Sequence, residues 1–87
     1  MYRAEIMAEA ERDLEQLDKP IAKRIRKRIQ WLADHFEYIT PEPLKGPLAG
    51  LYKLRVGDYR ALYDILHQEQ ILLVHRVRHR RDVYRAN

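Results

Sequence analysis

Leu51–Leu66, LYKLRVGDYRALYDIL, constrains the fold more than any other stretch. Apolar and polar residues alternate on both sides of Gly57-Asp58, the pattern of two half-buried strands meeting at a tight turn. Gly tolerates positive φ and Asp tolerates the left-handed region, so the pair suits a two-residue hairpin. That register sets Val56 against Tyr59, Leu54 against Ala61 and Tyr52 against Tyr63, on one apolar face that should pack inward. The other face carries Lys53 and Arg55 on one strand, Arg60 and Leu62 on the next, with Arg55 directly across from Arg60. Like charges at paired positions are destabilising. A sheet face that clusters cations therefore suggests an anionic partner, read here as RNA phosphate.

A chain of 87 residues is enough for one domain with one core, taken as 1–87. With 46% hydrophobic residues it can fold, and with no cysteine it has neither a disulfide nor a thiolate metal site. No signal peptide and no membrane-spanning apolar run is legible, so a cytoplasmic protein is expected. The net charge is +4, unevenly spread. The first 18 residues hold six acids and two bases, net −4, and the rest hold fifteen bases and seven acids, net +8. A basic body with an acidic edge fits a nucleic-acid binder.

Before the hairpin, Tyr2–Ile6 alternates as a short strand. Met7, Ala10, Leu14 and Leu17 recur at helical spacing, and Glu9, Glu11, Asp13 and Glu15 lie mostly off that stripe. Asp18 can cap a second helix with Pro20 in its first turn. Ile21, Ile25, Ile29, Leu32 and Phe36 form its apolar stripe, with Trp31 flanking it as a cap on the core. A short connection makes the two an antiparallel helical hairpin. Thr40–Gly50, rich in Pro and Gly, reads as a crossover loop anchored by Leu44 and Leu48, neither helix nor central strand. Gln70–Arg78 is apolar on both faces at Ile71–Val74, as in a central strand, and turns basic at its far end. The predicted fold is α+β in the order β-α-α-β-β-β: a small, largely antiparallel sheet packed against an N-terminal helical hairpin.

No phosphate-binding Gly-rich loop and no Ser-His-Asp set is present. His35, His67, His75 and His79 lack ligand spacing, so no metal or other cofactor is expected. Carboxylates are scarce on the basic face; Asp64 and Asp82 are the nearest, and Asp64 shares the parity of Arg60 and should pair with a base. Cations remain, with a late tyrosine. RNA carries its own nucleophile, the 2′-hydroxyl, which a protein can hold in line with the adjacent phosphate. The protein must also take a proton, stabilise the phosphorane charge and protonate the leaving 5′-oxygen. Lys53, Arg55, Arg60, Arg80 and Tyr84 could suffice, Tyr84 stacking on a splayed base. Arg stays protonated, and a Lys among arginines should have a lowered pKa, which favours Lys53 as base. Lys23, Arg24 and Lys27 on the second helix, with Lys45, Arg78 and Arg81, are candidate RNA contacts.

The segments LKGPL (44–48), LYKLRVGDYR (51–60) with Tyr63, and HRRDVY (79–84) resemble the RelE branch of the RelE/ParE toxin superfamily. The resemblance covers essentially the whole chain. It implies the toxin of a type II toxin–antitoxin module, a ribosome-dependent endoribonuclease that needs no metal and cuts mRNA in the ribosomal A site. By position, Lys53 and Arg55 match the family's paired basic residues on the second strand and Arg60 its phosphate-binding arginine. Arg80 matches the arginine proposed as proton donor or charge stabiliser, and Tyr84 the stacking tyrosine. Position 55 is Arg where some members have Lys, and Arg78 stands where a small residue is common. The implied partners are a cognate antitoxin, in a toxin–antitoxin hetero-oligomer, and the ribosome's 16S rRNA with its mRNA; no membrane is implied. The alternative is a ParE-like inhibitor of DNA gyrase without ribonuclease activity.

Overall fold

The chain opens on strand β1 (Arg3–Ile6), followed by helices α1 (Ala8–Glu15) and α2 (Lys19–Asp34). Strands β2 (Glu42–Pro43), β3 (Tyr52–Val56), β4 (Tyr59–Leu66) and β5 (Ile71–His79) complete it. The structure is a computed structural model and describes residues 1–85. One sheet holds all five strands in the order β1-β5-β4-β3-β2. β1 runs parallel to β5, and every other neighbouring pair is antiparallel. The hairpin pairs in the expected register, Arg55 across from Arg60 included.

Both helices bury their apolar stripes on one face of this sheet. Ala10 and Leu14 of α1 and Ile25, Ile29 and Leu32 of α2 meet Leu54, Val56, Ala61, Tyr63, Leu72, Val74 and Val77 in a single core. Phe36, in a single 3-10 turn after α2, sets its ring edge-on to Tyr63 at 6.4 Å. β5 lies inside the sheet, between β1 and β4, as its apolar run requires. On the opposite face a second, smaller cluster forms: Leu44, Leu62 and Val83 are buried together, with Leu48 and Leu51 against them. The loop anchors thus cover part of the sheet's outer face.

Four local expectations are corrected. Thr40–Gly50 is not all loop, because Glu42–Pro43 pairs with Lys53 and Tyr52 as an edge strand. Proline is tolerated there because an edge strand leaves one side without ladder bonds. Asp18 takes the N-cap position of α2, yet its side chain makes no capping hydrogen bond. Trp31 does not cap the core: it is 37% exposed and stacks along the helix surface with Arg28 and His35. Asp64 turns to its own strand, where Oδ1 accepts from the Ile65 N–H at 2.8 Å.

Two long-range features position the site. First, the β4–β5 register slips: Leu62 faces Arg76 but Tyr63 faces Val74, so His75 is the extra residue of a β-bulge. Before it the even-numbered Leu72 and Val74 enter the core; after it the odd-numbered Val77 does. The bulge re-aims the strand's end so that Arg78 falls opposite Arg60. Second, β1 pairs with β5 only as far as Ile6–Val74. Beyond it the β5 edge would stand open, and α1 closes it: Asp13 accepts from the Val77 N–H at 2.9 Å and grips Arg76 with both oxygens at 2.9 and 3.0 Å. No helix among the described residues is long and apolar enough to cross a membrane.

Candidate nucleic-acid interface

Strand alternation and the bulge bring three arginines into one cross-strand row on the face away from the helices. Arg55 of β3 pairs with Arg60 of β4, which pairs with Arg78 of β5. Lys53 lies two residues along β3 on the same face, half-buried. Lys53, Arg55 and Arg60 are the charge cluster that the hairpin sequence predicts, and Arg78 joins them from β5.

Each arginine is held by a different group. Arg55 is exposed and forks onto Glu42, with Nε and Nη2 each 3.0 Å from a carboxylate oxygen. The Arg55 hydrogen bond chiefly, with the charges of Arg55, Lys53 and Arg60 behind it, holds the Glu42 carboxyl below its ordinary range against the opposing effect of burial. The same pair raises the Arg55 guanidinium further. Arg60 curls to the hairpin end, where Nη1 donates to the carbonyls of Gly57 and Tyr59 at 2.9 and 2.8 Å. Arg78 Nη1 donates to the carbonyls of Val83 and Arg85 at 3.0 and 3.1 Å, fastening the C-terminal turn to β5.

Arg80 opens a 3-10 turn (Arg80–Asp82) directly after β5. Its N–H donates to the Asp58 carbonyl at 2.7 Å and its guanidinium lies 3.7 Å from the Asp58 carboxylate. The β3–β4 turn thereby anchors the residue that follows β5. Arg81 is exposed, its N–H donating to His79 Nδ1. Tyr84 is 54% exposed, and its hydroxyl accepts from the Lys45 N–H at 3.3 Å, tying the crossover loop to the C-terminal turn. Lys45 and Tyr84 are therefore neighbours, which no local spacing announces.

Not every predicted residue joins this face. Lys23, Arg24 and Lys27 project from α2, on the helix layer behind the sheet. Arg24 alone reaches across: its Nη2 lies 3.1 Å from where a Cβ on Gly57 would stand. The predicted RNA contacts thus divide between two sides. A groove of about 490 Å³ at the end of β5 is lined by Tyr59, Arg76, Arg78, His79 and Arg85, with Asp13 and Asp82 in its walls. It takes in Arg78 but none of Lys53, Arg55, Arg60, Arg80 or Tyr84. A second cleft of about 180 Å³ runs past the β3 edge and includes Lys53, Arg55 and Glu42.

Glu42 and Asp58 join the site beside the expected Asp82, which lines the groove with Arg78, whereas Asp64 turns to its own strand. Sequence reading missed Glu42 because it lies between two prolines on a two-residue strand, too short to show alternation. It missed Asp58 because the turn accounted for that residue. A basic face with one carboxylate kept ionised can bind phosphate at the arginines and accept a proton at the carboxylate.

The chain matches, over residues 4–84, the family model described as the ParE toxin of a type II toxin-antitoxin system, parDE. It is similar to Toxin RelG of Mycobacterium tuberculosis, 43% identical over 44 residues. That alignment spans 51% of each chain, about half the length of the relative. Its fold is similar to the toxin–antitoxin complex RelBE2 of M. tuberculosis, with TM-score 0.80, 28% identity and 90% of each chain covered. It is also similar in fold to the isolated E. coli RelE toxin, with TM-score 0.72 and 15% identity, over 91% of this chain and 84% of that one.

Proposed function

This chain belongs to the ParE toxin family of type II toxin–antitoxin systems, and from that premise we propose that it is a ribosome-dependent endoribonuclease that arrests translation by cutting mRNA. The observation that carries the reading is the arginine row Arg55–Arg60–Arg78 with the ionised Glu42 set against it. Phosphate is the anion that such a row suits, because arginine forks match its oxygens.

The reaction uses the RNA's own 2′-hydroxyl. Its oxygen bonds to the adjacent phosphorus, the bond from phosphorus to the 5′-oxygen breaks, and a cyclic phosphate and a 5′-hydroxyl result. Glu42 takes the proton from the 2′-hydroxyl, since a carboxylate accepts where Lys and Arg donate; the Arg55 fork, which lowers its proton affinity, turns to the phosphate for it to do so. Lys53 is thus reassigned from base to donor, its ammonium protonating the leaving 5′-oxygen. Arg60 and Arg80 stabilise the charge on the phosphorane. Tyr84, exposed beside Lys45, stacks on the neighbouring base. An antitoxin with an acidic or amphipathic segment covers this face; the RelBE2 structure is likewise a toxin–antitoxin complex.

A second reading, inhibition of DNA gyrase, is favoured by the ParE description of the matching family. One reconstituted translation assay separates the two. Wild-type protein should cleave mRNA on ribosomes, R80A/Y84A should abolish cleavage with its Tm nearly unchanged, and E42Q should lose about a hundredfold in rate. Intact mRNA alongside gyrase inhibition would overturn the ribonuclease reading.

A further inference from the structure

Tyr63 is the largest side chain that the core closes over, only 1% exposed. Tyr52 lies against its ring at 5.8 Å and Phe36 meets it edge-on. The hydroxyl is the exception. No described residue hydrogen-bonds it, yet no buried polar side-chain atom among the described residues is both sealed and unpaired. Its oxygen therefore reaches a surface, and the surface that Tyr63 lines is the 180 Å³ cleft at the β3 edge. A hydroxyl withdrawn from bulk water costs stability until something completes its hydrogen bonds.

The cleft exists because β2 is short. Glu42 pairs with Lys53, but Thr40 and Pro41 lie outside the pairing and leave the β3 edge at Leu54 and Arg55 uncovered. The gap joins the two sides of the sheet, with Tyr63 at its inner end and Glu42 and Lys53 at its outer end. Burial first, then Tyr52 and the Glu42 carboxylate, hold the Tyr63 proton in place to about pH 12. The group is thus a neutral hydroxyl at pH 7, donor and acceptor at once. The walls between the two ends are apolar, from Leu32, Ile39, Pro41 and Leu54. The space is smaller than the clefts of about 300 Å³ and more that take drug-sized ligands. A base finds no open ring there, since Arg28 and His35 already occupy Trp31. A phosphate would meet apolar walls and the ionised Glu42. A ribose is neutral, has C–H edges for the walls and carries hydroxyls for the ends.

We propose that this cleft seats the ribose whose 2′-hydroxyl attacks, the Tyr63 hydroxyl donating to the 2′-oxygen from the inner end while the 2′-O–H points to Glu42 at the outer end. The assignment rests on the ribonuclease reading and deepens it, because it names what recognises the strand as RNA. A deoxyribose in the same place leaves the Tyr63 hydroxyl unpaired.

Ribosomes programmed with two mRNAs test this, one all-ribo and one with a single 2′-deoxy nucleotide immediately 5′ to the mapped cut. Affinity for the first comes from half-saturation of single-turnover cleavage, and affinity for the second, which lacks the nucleophile, from direct binding. The wild type should prefer the all-ribo mRNA, and Y63F should lose about fivefold of that preference, the worth of one hydrogen bond. Y63F should also cut about tenfold more slowly, since the nucleophile is less well held. Its Tm should not fall, because the hydroxyl has no partner in the free protein to lose. A folding defect weakens binding to both mRNAs alike, so the ratio of affinities reads the contact alone. A ratio unchanged in Y63F overturns the ribose site and leaves the ribonuclease reading standing. So does a wild type that binds both mRNAs equally. Failure of the wild type to cleave at all defeats the ribonuclease reading, and this assignment with it.

Discussion

Replacing Asp13 with Asn tests whether α1 stabilises the fold by closing the β5 edge. Asp13 and Arg76 side chains are 17% and 27% exposed, so water screens their contact only in part. Burial pushes the Asp13 carboxyl up. The Arg76 hydrogen bonds, the Val77 N–H and the charges of Arg76 and Arg78 outweigh it and hold the group below its ordinary value. Asparagine keeps one acceptor oxygen for three donors and turns an NH₂ toward the guanidinium. Hydrogen bonds to charged groups contribute about 1.5–3 kcal/mol, so D13N should cost about 2 kcal/mol. For a domain of this size that is a fall in Tm of about 8–16 °C. Thermal and urea melts at pH 7 measure it, and a D13A/R76A double-mutant cycle isolates the pair. The sign with pH follows from the depressed folded-state value. The contribution is complete above the unfolded value of about 3.9 and is lost as pH falls through the lower folded value. The gap between wild type and D13N should therefore shrink below about pH 4. A D13N protein melting within about 2 °C of wild type at pH 7 would refute the reasoning. So would a gap equally wide at pH 7 and pH 2.

Tyr63 is fully buried, and burial, with smaller effects from Tyr52 and Glu42, pushes its hydroxyl up to about 12. Y63F should remove an alkaline step at about pH 12 from the 295-nm titration; loss of a step at about pH 10 instead would contradict the burial. Because the folded value is raised, the neutral phenol stabilises the fold up to about pH 10 and that contribution fades as pH rises through the folded value. Gly57 sits at φ +58 in the β3–β4 turn. G57A should cost about 1 kcal/mol and G57N less, read by urea melts. An equal cost in an R24A background assigns it to the backbone; its disappearance there assigns it to the contact with Arg24.

Much of the architecture was legible because its cause is local. Period-two alternation around Gly57-Asp58 determines both the hairpin register and the face on which Lys53, Arg55 and Arg60 stand. The Ile25, Ile29 and Leu32 stripe determines which side of α2 enters the core. The resemblance to RelE and ParE toxins was likewise carried by short contiguous segments. Arg80 and Tyr84 could be named but not placed, since only the bond to Asp58 and the Tyr84–Lys45 contact show where the turn after β5 is pinned.

What the sequence alone determined, then, is the two helices and four of the five strands, the inward side of each, and a surface of clustered cations. Tertiary structure decided the rest: the parallel pairing of β1 with β5, the bulge at His75 that swings Arg78 into line, and the return of Glu42 to Arg55 on a two-residue strand. Asp13 and Val77 are 64 residues apart, yet one hydrogen bond joins them. Such pairings satisfy backbone and charged groups that distant segments leave open. No periodicity within either segment records which partner closes them, and the carboxylate beside the arginine row became visible only once the sheet was assembled.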